Sequence, residues 1–362
     1  MTKTKVILLY GGQSTEHDIS RRSAKFIFDN LLASDYETIP VAINKEGQWI
    51  AQDLETLKAH AGESLPIASQ GQKLNLFDLE NPLDAPLGDG KPVVVFPALH
   101  GTHGEDGVCQ GLFQLKNWAF VGPDTLGSAV AMDKIVAKTL VHAAGIPIAP
   151  FVPVYRGDCR SEQDKSLVQE SILSKLKPPF FVKPASLGSS VGITRVDDIA
   201  ELQQAIELAL TYDHKVLVEK AMIGREIEFA LLGGEKPLVS GPGEVAASRG
   251  FYTFEEKYSR DSVAKVIIPA PMSNKEKTLG QSLSLDVFRA LNLWGMARVD
   301  FFLDQTGRFV FNEANTIPGF TSISQYPQLW REEGIHAKEL IERLIQTALE
   351  RWYRKQMIQL NY

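Results

Sequence analysis

The sequence predicts an α/β protein built as three successive units, and three features carry that expectation. An apolar run, Val6-Ile7-Leu8-Leu9-Tyr10, ends in Gly11-Gly12, as a buried parallel strand feeding a turn does. Near residue 125 the pattern changes to shorter strands and helices around a loop rich in glycine and serine. From residue 225 onwards strands return, and an amphipathic helix closes the chain.

Behind the Gly11-Gly12 turn, Ala24, Ile27, Phe28 and Leu31 recur at helical spacing. Thr38 to Ile43 and Val93 to Leu99 read as two more strands, completing an open, Rossmann-like α/β layer. Residues 51–92, rich in Pro, Gly and Asp, are expected to form a surface excursion with little regular structure. Asp133 to Ala144 reads as a helix stopped by Gly145 and Pro147. A strand around Phe180-Phe181-Val182, a helix from Ile199 to Leu210 and the strand Lys215 to Glu219 make a small α+β unit. EIEFALL, MARVDFFL and RFVFNEA supply the later strands, and Ala337 to Trp352 the closing helix. The expected domains are therefore 1–125, 126–221 and 222–362.

With 362 residues, 44% of them hydrophobic and 23% charged, the composition is that of an ordinary globular protein. A net charge of −6 argues against a nucleic-acid partner, which would need a basic face. The two cysteines, Cys109 and Cys159, lack metal-ligand spacing and point to a reducing compartment or to plain core filling. The apolar run in MTKTKVILLYGG is too short for a signal peptide, and no segment is long enough to span a bilayer. A cytoplasmic location without a membrane partner is the expectation.

The stretch VKPASLGSSVGI, residues 182–193, fits neither GxxxxGK[ST] nor GxGxxG, yet has the parts of an anion-binding nest. Gly188 and Gly192 allow close backbone approach, Ser189 and Ser190 add donors, and Lys183 fixes a positive charge at the base. A plain β-hairpin with a polar turn is the alternative. Asp300, Glu313 and Asn315 lie on apolar strands joined by the turn Asp304-Gln305-Thr306-Gly307, and such hard oxygen donors suit Mg²⁺ held with nucleotide phosphates. Arg298 shares a strand face with Asp300, and a surface ion pair between Arg298 and Glu313 is the competing reading. The Pro318-Gly319 turn that follows can aim a backbone N–H at developing negative charge, or be an ordinary turn.

Other positions are more ambiguous. Glu219, Lys220 and Glu226, at a strand end and the linker after it, suit an adenine edge and ribose hydroxyls, or are solvated charges. Glu16 stands beside the Gly11-Gly12 turn, where a carboxylate suits an ammonium group better than a phosphate. His100 ends another apolar strand, where ligands collect in open α/β sheets, although a lone histidine is more often structural. Residues 250–258, GFYTFEEKY, read as an aromatic lid or a partly packed surface loop.

Together LLYGGQSTEHDIS, LHGTHGEDG, MDK at 132–134, VKPASLGSSVGI, LVEKAMIGREIE, FEEKY, ARVDFF and NEANTIPGFTSIS resemble the ATP-grasp ligases, in particular the D-alanine–D-alanine ligase family. The segments run in family order from Leu8 to Ser324; residues 51–92 and the tail after about 335 carry no such motif, and the match is looser at Thr253-Phe254, where relatives often carry Asp-Tyr. The resemblance implies an ATP-grasp fold, with an N-terminal substrate-binding domain and central and C-terminal ATP-grasp subdomains. It implies ATP with Mg²⁺ or Mn²⁺, two ions in all, two D-alanine substrates and a homodimer. Lys134 and Lys183 would then contact phosphates, with Ser189 and Ser190 closing over them. Glu219 and Lys220 would flank adenine, Glu226 would bind ribose, and Asp300, Glu313 and Asn315 would hold the metal. Glu16 would bind the first ammonium with His100 nearby, Arg298 and the Gly319 N–H would meet the oxyanion, and Ser324 would bind the second carboxylate. Lys257 and Tyr258 would sit on the closing loop, with Tyr258 bonded to Glu16 and Ser189. A D-alanine–D-lactate ligase, disfavoured by Tyr258, and a non-catalytic nucleotide-binding protein on this scaffold are the alternatives.

Overall fold

The computed structural model describes residues 3–68, 71–74, 92–246 and 265–358. The first sheet contains β1 (Thr4–Gly11), β2 (Tyr36–Ile43), β3 (Trp49–Ala51), β4 (Val94–Ala98) and β5 (Ala119–Phe120), in the order β3-β2-β1-β4-β5. All pairings are parallel except the edge pair β2–β3. The β1 run is continuously apolar because both faces are covered. Val6, Leu8 and Tyr10 enter one core, while Ile7 and Leu9 enter another. The turn after β1 requires glycine: at Gly11, with φ +92°, a Cβ would fall 2.1 Å from the Ile43 carbonyl oxygen.

The described part of the excursion, residues 51–68 and 71–74, has more regular structure than its composition predicts. Its first residues complete β3 and form α2 (Leu54–Lys58), capped by the Asp53 carboxylate, which accepts the Thr56 N–H at 2.7 Å. Leu57 and Leu65 are buried under the sheet. Scattered prolines and glycines conceal two leucines that anchor the excursion to the core.

The second sheet is antiparallel and contains β6 (Phe151–Tyr155), β7 (Phe180–Pro184), β8 (Thr194–Val196) and β9 (Lys215–Lys220), in the order β6-β9-β7-β8. It packs on α6 (Glu162–Lys175) and α7 (Leu202–Tyr212) through Ile172, Leu202, Ile206 and Ala209. The third, also antiparallel, contains β10 (Arg225–Gly233), β11 (Leu238–Ala246), β12 (Lys265–Ile267), β13 (Gly295–Leu303) and β14 (Phe309–Asn315), in the order β12-β11-β10-β13-β14. Phe229, Phe301, Phe309 and Phe311 form its aromatic core, with α8 (Asn274–Ala290) packed against them.

Further helices join these layers: α1 (His17–Leu32), α3 (Val108–Leu115), α4 (Thr125–Met132), α5 (Lys134–Ala143), α9 (Gln325–Glu332) and α10 (Ala337–Gln356). In α10, Leu340, Ile341, Leu344 and Ile345 recur on one face and are fully buried, each contributing about 1.5–3 kcal/mol. That face packs into the core under β1 and β4, so the end of the chain braces its beginning. Arg351 fastens the contact, donating to the carbonyls of Phe120 and Gly122 at 2.7 Å each. Among the described residues, no helix is long and apolar enough to cross a membrane.

Candidate active site

A cavity of about 320 Å³ lies between the second and third sheets, lined by Phe181, Lys183 and Lys220 on one side and Glu226, Phe302 and Glu313 on the other. The loop from Ala185 to Ile193 joins β7 to β8 and reaches this cavity. It is an antiparallel hairpin connection, so the hairpin and ligand-loop readings describe the same piece of chain. Its backbone is unusual, with Ser189 at φ +54° and Ser190 at φ +60°, a strain of about 1–3 kcal/mol each. The ends are held. Ser186 N–H donates to Asp213 Oδ2 at 2.8 Å, and Lys134 Nζ donates to the Leu187 carbonyl at 2.6 Å. From the middle, Ser189 Oγ donates to Glu16 Oε1, so the loop reaches the residue that precedes α1, beyond the carboxyl end of β1.

Lys183 and Glu219 form a buried pair at 2.7 Å, and Lys138 on α5 completes it, with Nζ 2.5 Å from the other Glu219 oxygen. Lys138 also donates to the Phe311 carbonyl at 3.2 Å, joining the two sheets. Burial works against the Glu219 carboxylate, but Lys138 and Lys183 outweigh it and hold the group below the usual glutamate range. The two lysines part company. Burial and the like charge of Lys183 leave Lys138 lowered despite Glu219, whereas Glu219 and Glu313 outweigh burial for Lys183 and raise it. The Glu219 side chain thus holds two lysines while still lining the cavity, and Lys220, exposed at the strand end, lines it as well. Lys138 was not anticipated, although it stands four residues after Lys134, one turn further along the same helix face.

Strand register resolves the acidic wall. Glu228 of β10, Asp300 of β13 and Glu313 of β14 form one row across three neighbouring strands, with Arg298 opposite Asn315 in the next. Arg298 Nε and Nη2 donate to the two Asp300 oxygens at 2.8 and 2.7 Å, and Nε lies 3.4 Å from Glu228 Oε1. Burial opposes the Arg298 charge, yet Asp300 and Glu228 outweigh it and raise the group well above its ordinary value. Asn315 Nδ2 donates to Asp300 Oδ2 at 3.0 Å. Glu313 faces the cavity with Lys134 Nζ at 3.9 Å. A bulge makes Asn312 the extra residue between the Asp300–Glu313 and Phe301–Phe311 pairs, and its amide reaches Glu226 at 3.3 Å.

Among the described residues, no group of three or more His, Cys, Asp or Glu side chains is arranged to hold a metal. The donors here are two carboxylates and an amide, the incomplete set that suits Mg²⁺ when waters and phosphates fill the remaining positions. Like charges set directly opposite each other, as Asp300 and Glu313 are, fit a cation between them.

On the side of the first sheet, Glu16 immediately precedes α1 and is 6% exposed. Gly101, at φ +72°, leaves room for it, since a Cβ there would lie 2.7 Å from Glu16 Oε2. His100 is buried with both ring nitrogens engaged: Nδ1–H donates to the Ile317 carbonyl at 3.1 Å, and Nε2 accepts from Ser23 Oγ at 2.8 Å. This tautomer is assigned because a carbonyl only accepts. Burial lowers the His100 pKa although Glu16 works in the opposite sense, which favours the neutral ring. Ser23 Oγ in turn accepts the Phe320 N–H at 3.2 Å. The structural alternative for His100 therefore describes what its ring does, and it does so within electrostatic reach of Glu16.

Glu105, from the GEDG segment, accepts N–H bonds from Gly101 at 2.7 Å and Ile317 at 3.3 Å. Burial, and then Glu16, push its carboxyl up to about 8. His100 and Glu105 at Ile317, with Ser23 at Phe320, fix the Pro318-Gly319 turn from both sides. Ser324 stands before α9 and accepts the Thr321 N–H at 3.0 Å, with its Oγ 3.1 Å from where a Gly319 Cβ would be. Lys257 and Tyr258 lie outside the described residues, as do the other residues of the aromatic segment 250–258.

Two antiparallel sheets around a cavity, with a serine loop, buried lysines and an acidic wall, define the class: an ATP-grasp fold. The family described as D-ala D-ala ligase N-terminus matches residues 5–123, and D-ala D-ala ligase C-terminus matches residues 140–346. The chain is 42% identical to D-alanine–D-alanine ligase A of Chromobacterium violaceum over 358 residues, covering 97% of this chain and 96% of that protein. It is similar to the solved D-alanine–D-alanine ligase of Coxiella burnetii, with a TM-score of 0.81, 33% identity and coverage of 98% and 97%. It is also similar to a D-Ala:D-Ser ligase of Enterococcus faecalis, with a TM-score of 0.79, 33% identity and coverage of 96% and 100%. The chain belongs to the D-alanine–D-alanine ligase family.

Proposed function

We propose that this chain joins two D-alanines at the expense of ATP, through a D-alanyl phosphate, to make the dipeptide for peptidoglycan. The observation that carries this reading is the hydrogen bond from Ser189 to Glu16, which couples a phosphate-type loop to a carboxylate suited to an ammonium group. In the first step a carboxylate oxygen of the first D-alanine attacks the γ-phosphorus and ADP leaves. In the second, the free amine of the second D-alanine attacks the acyl carbon, the amine loses a proton, and phosphate departs.

The residues take the following parts. Glu16, with His100 nearby, receives the first D-alanine's ammonium. Lys134, Lys183 and the Ser189-Ser190 loop face the phosphates. Lys220 and Glu219 flank the base, Glu219 by fixing Lys183, and Glu226 takes the ribose. Asp300, Glu313 and Asn315 hold divalent cations, two in our reading, which neutralise charge on the transferring phosphoryl group. Arg298 and the Gly319 N–H meet the oxyanion of the second step, and Ser324 meets the second carboxylate. A site that excludes water protects the acyl phosphate from hydrolysis.

The decisive assay is ADP release with Mg²⁺ and D-alanine against the same assay with L-alanine. Stimulation by the D-isomer alone is expected, and equal or absent stimulation would remove the reading. With D-lactate supplied alongside D-alanine at neutral pH, dipeptide should dominate, and a mainly depsipeptide product would move the chain to the alternative. Ser189→Ala deletes a hydrogen bond to a charged group, worth about 1.5–3 kcal/mol, so kcat should fall roughly ten- to a hundredfold. KM for ATP should stay within a few-fold. A collapse of ATP affinity with kcat retained would make the loop a binding cradle instead of a lid.

The substrates and ATP place the work in the cytoplasm, and we carry a homodimer as part of the same reading. Val108 and Leu115 on α3 and Leu126 on α4 are exposed on neighbouring helices, an apolar face suited to a second copy. Light scattering of the purified protein reads this, and a monomer at micromolar concentration would exclude it.

A further inference from the structure

Asp300 is asked to do two things. Its oxygens already accept from Arg298 Nε at 2.8 Å, Arg298 Nη2 at 2.7 Å and Asn315 Nδ2 at 3.0 Å. A carboxylate has about four lone-pair positions and three are already taken, so a divalent cation that needs more than the remaining one competes with the guanidinium for the same oxygens. Arg298 is itself largely buried, with 15% of its side chain exposed, and a buried cation that loses its carboxylate needs another. The next carboxylate is Glu228. It lies directly across from Asp300 on β10, 3% exposed, with Oε1 3.4 Å from Arg298 Nε. That is just beyond hydrogen-bond length and is closed by a small side-chain rotation. No step of the proposed reaction otherwise uses Glu228.

We infer that Glu228 is a positioning residue for Arg298: it is the carboxylate that keeps the guanidinium seated when Asp300 turns its oxygens to a divalent cation. The inference rests on the ligase reading and adds a residue to it. The row Glu228–Asp300–Glu313 then has a division of labour, its inner end holding the arginine and its outer end the cation. Sequence alternation supports the placement, since Glu226 and Glu228 share one face of β10, yet Glu226 lines the cavity and Glu228 does not.

The test is Mn²⁺ binding, followed by electron paramagnetic resonance in the presence of a non-hydrolysable ATP analogue, with catalysis as a second readout. In Glu228→Gln, Arg298 stays on Asp300, so the Mn²⁺ dissociation constant should rise about fivefold to a hundredfold. In the same variant kcat should fall while KM for ATP stays within about twofold, a split that simple destabilisation would not produce. In an Arg298→Met background the added Glu228→Gln change should leave Mn²⁺ affinity unaltered, because there is no guanidinium to hold. Equal weakening in both backgrounds, or none in either, would overturn the inference. If the glutamine variant does not fold, Glu228→Asp withdraws the carboxylate by one methylene and should weaken Mn²⁺ in the same direction; unchanged affinity there also overturns it. A wild-type protein that holds no Mn²⁺ with nucleotide would instead sink the ligase reading itself, so the two failures are distinguishable.

Discussion

Arg298→Ala is expected to lower kcat about a hundred- to a thousandfold, since one oxyanion donor is typically worth about 3–4 kcal/mol. The expectation follows from where the guanidinium sits. It is held by Asp300 through two donors on the middle strand of the acidic row, with Asn315 opposite it. The chain runs from Asn315 directly to the turn that carries Gly319, so strand β14 sets both oxyanion donors relative to each other. The same substitution strips two buried carboxylates, Asp300 and Glu228, of their shared cation. Breaking a buried pair costs about 3–5 kcal/mol, so a fall in melting temperature must accompany the fall in rate. Arg298→Lys separates the two effects. It keeps a charge between the carboxylates but loses the planar fork, so stability should largely return while kcat remains well below wild type. Steady-state kinetics and thermal unfolding on both variants check this. A folded Arg298→Ala protein with kcat within about threefold of wild type would remove Arg298 from the chemistry, given the usual size of such effects.

The parts of this molecule that were legible in its sequence are those set by local pattern. The β1 run and its glycine turn follow from an apolar run with both faces buried, and from a position where any Cβ meets the Ile43 carbonyl. Alternation correctly put Arg298 beside Asp300 and Glu313 beside Asn315, but it could not give their register, because a bulge at Asn312 shifts the pairing by one residue. Strand β6 and helix α6 were not anticipated. Strand β6 carries an internal proline, and α6 buries only Ile172, so neither shows a strong apolar period. The contacts that make the site one object were out of reach of local pattern for a different reason, although the family resemblance had already linked Ser189 to Glu16 through Tyr258. Ser189 to Glu16, His100 to Ile317 and Lys138 to Phe311 each join residues more than a hundred positions apart, and no local period encodes them. Glu219 shows the cost of this. Its place at a strand end suggested a role at the base but gave no sign of the two lysines from different elements that its carboxylate also holds.

Those two lysines make Glu219→Gln the largest stability change expected in the molecule. The substitution keeps the shape of the side chain but removes the negative charge between Lys138 and Lys183, which are then two buried like charges with no counter-charge between them. Loss of one partner from a buried ionic group costs about 3–5 kcal/mol, a large share of the roughly 5–15 kcal/mol that holds a domain folded. The loss has a pH signature. The native Glu219 lies below its ordinary value of 4.5, so its contribution is complete above that pH and is lost as pH falls through the depressed native value. The gap between wild type and variant should therefore narrow on the acid side below about pH 4.5. On the alkaline side the sign comes from Lys138, whose native value is already lowered from 10.5 by burial and falls further without Glu219. A lysine lowered by folding weakens the protein most when protonated, so the variant regains stability as pH rises towards 10.5 and the gap narrows again. Urea unfolding across this range measures the gap directly. A gap that stays constant with pH would mean that the three groups do not titrate as a unit. A gap that widens towards acid would mean that Glu219 is protonated in the native protein and is not the anchor of Lys183.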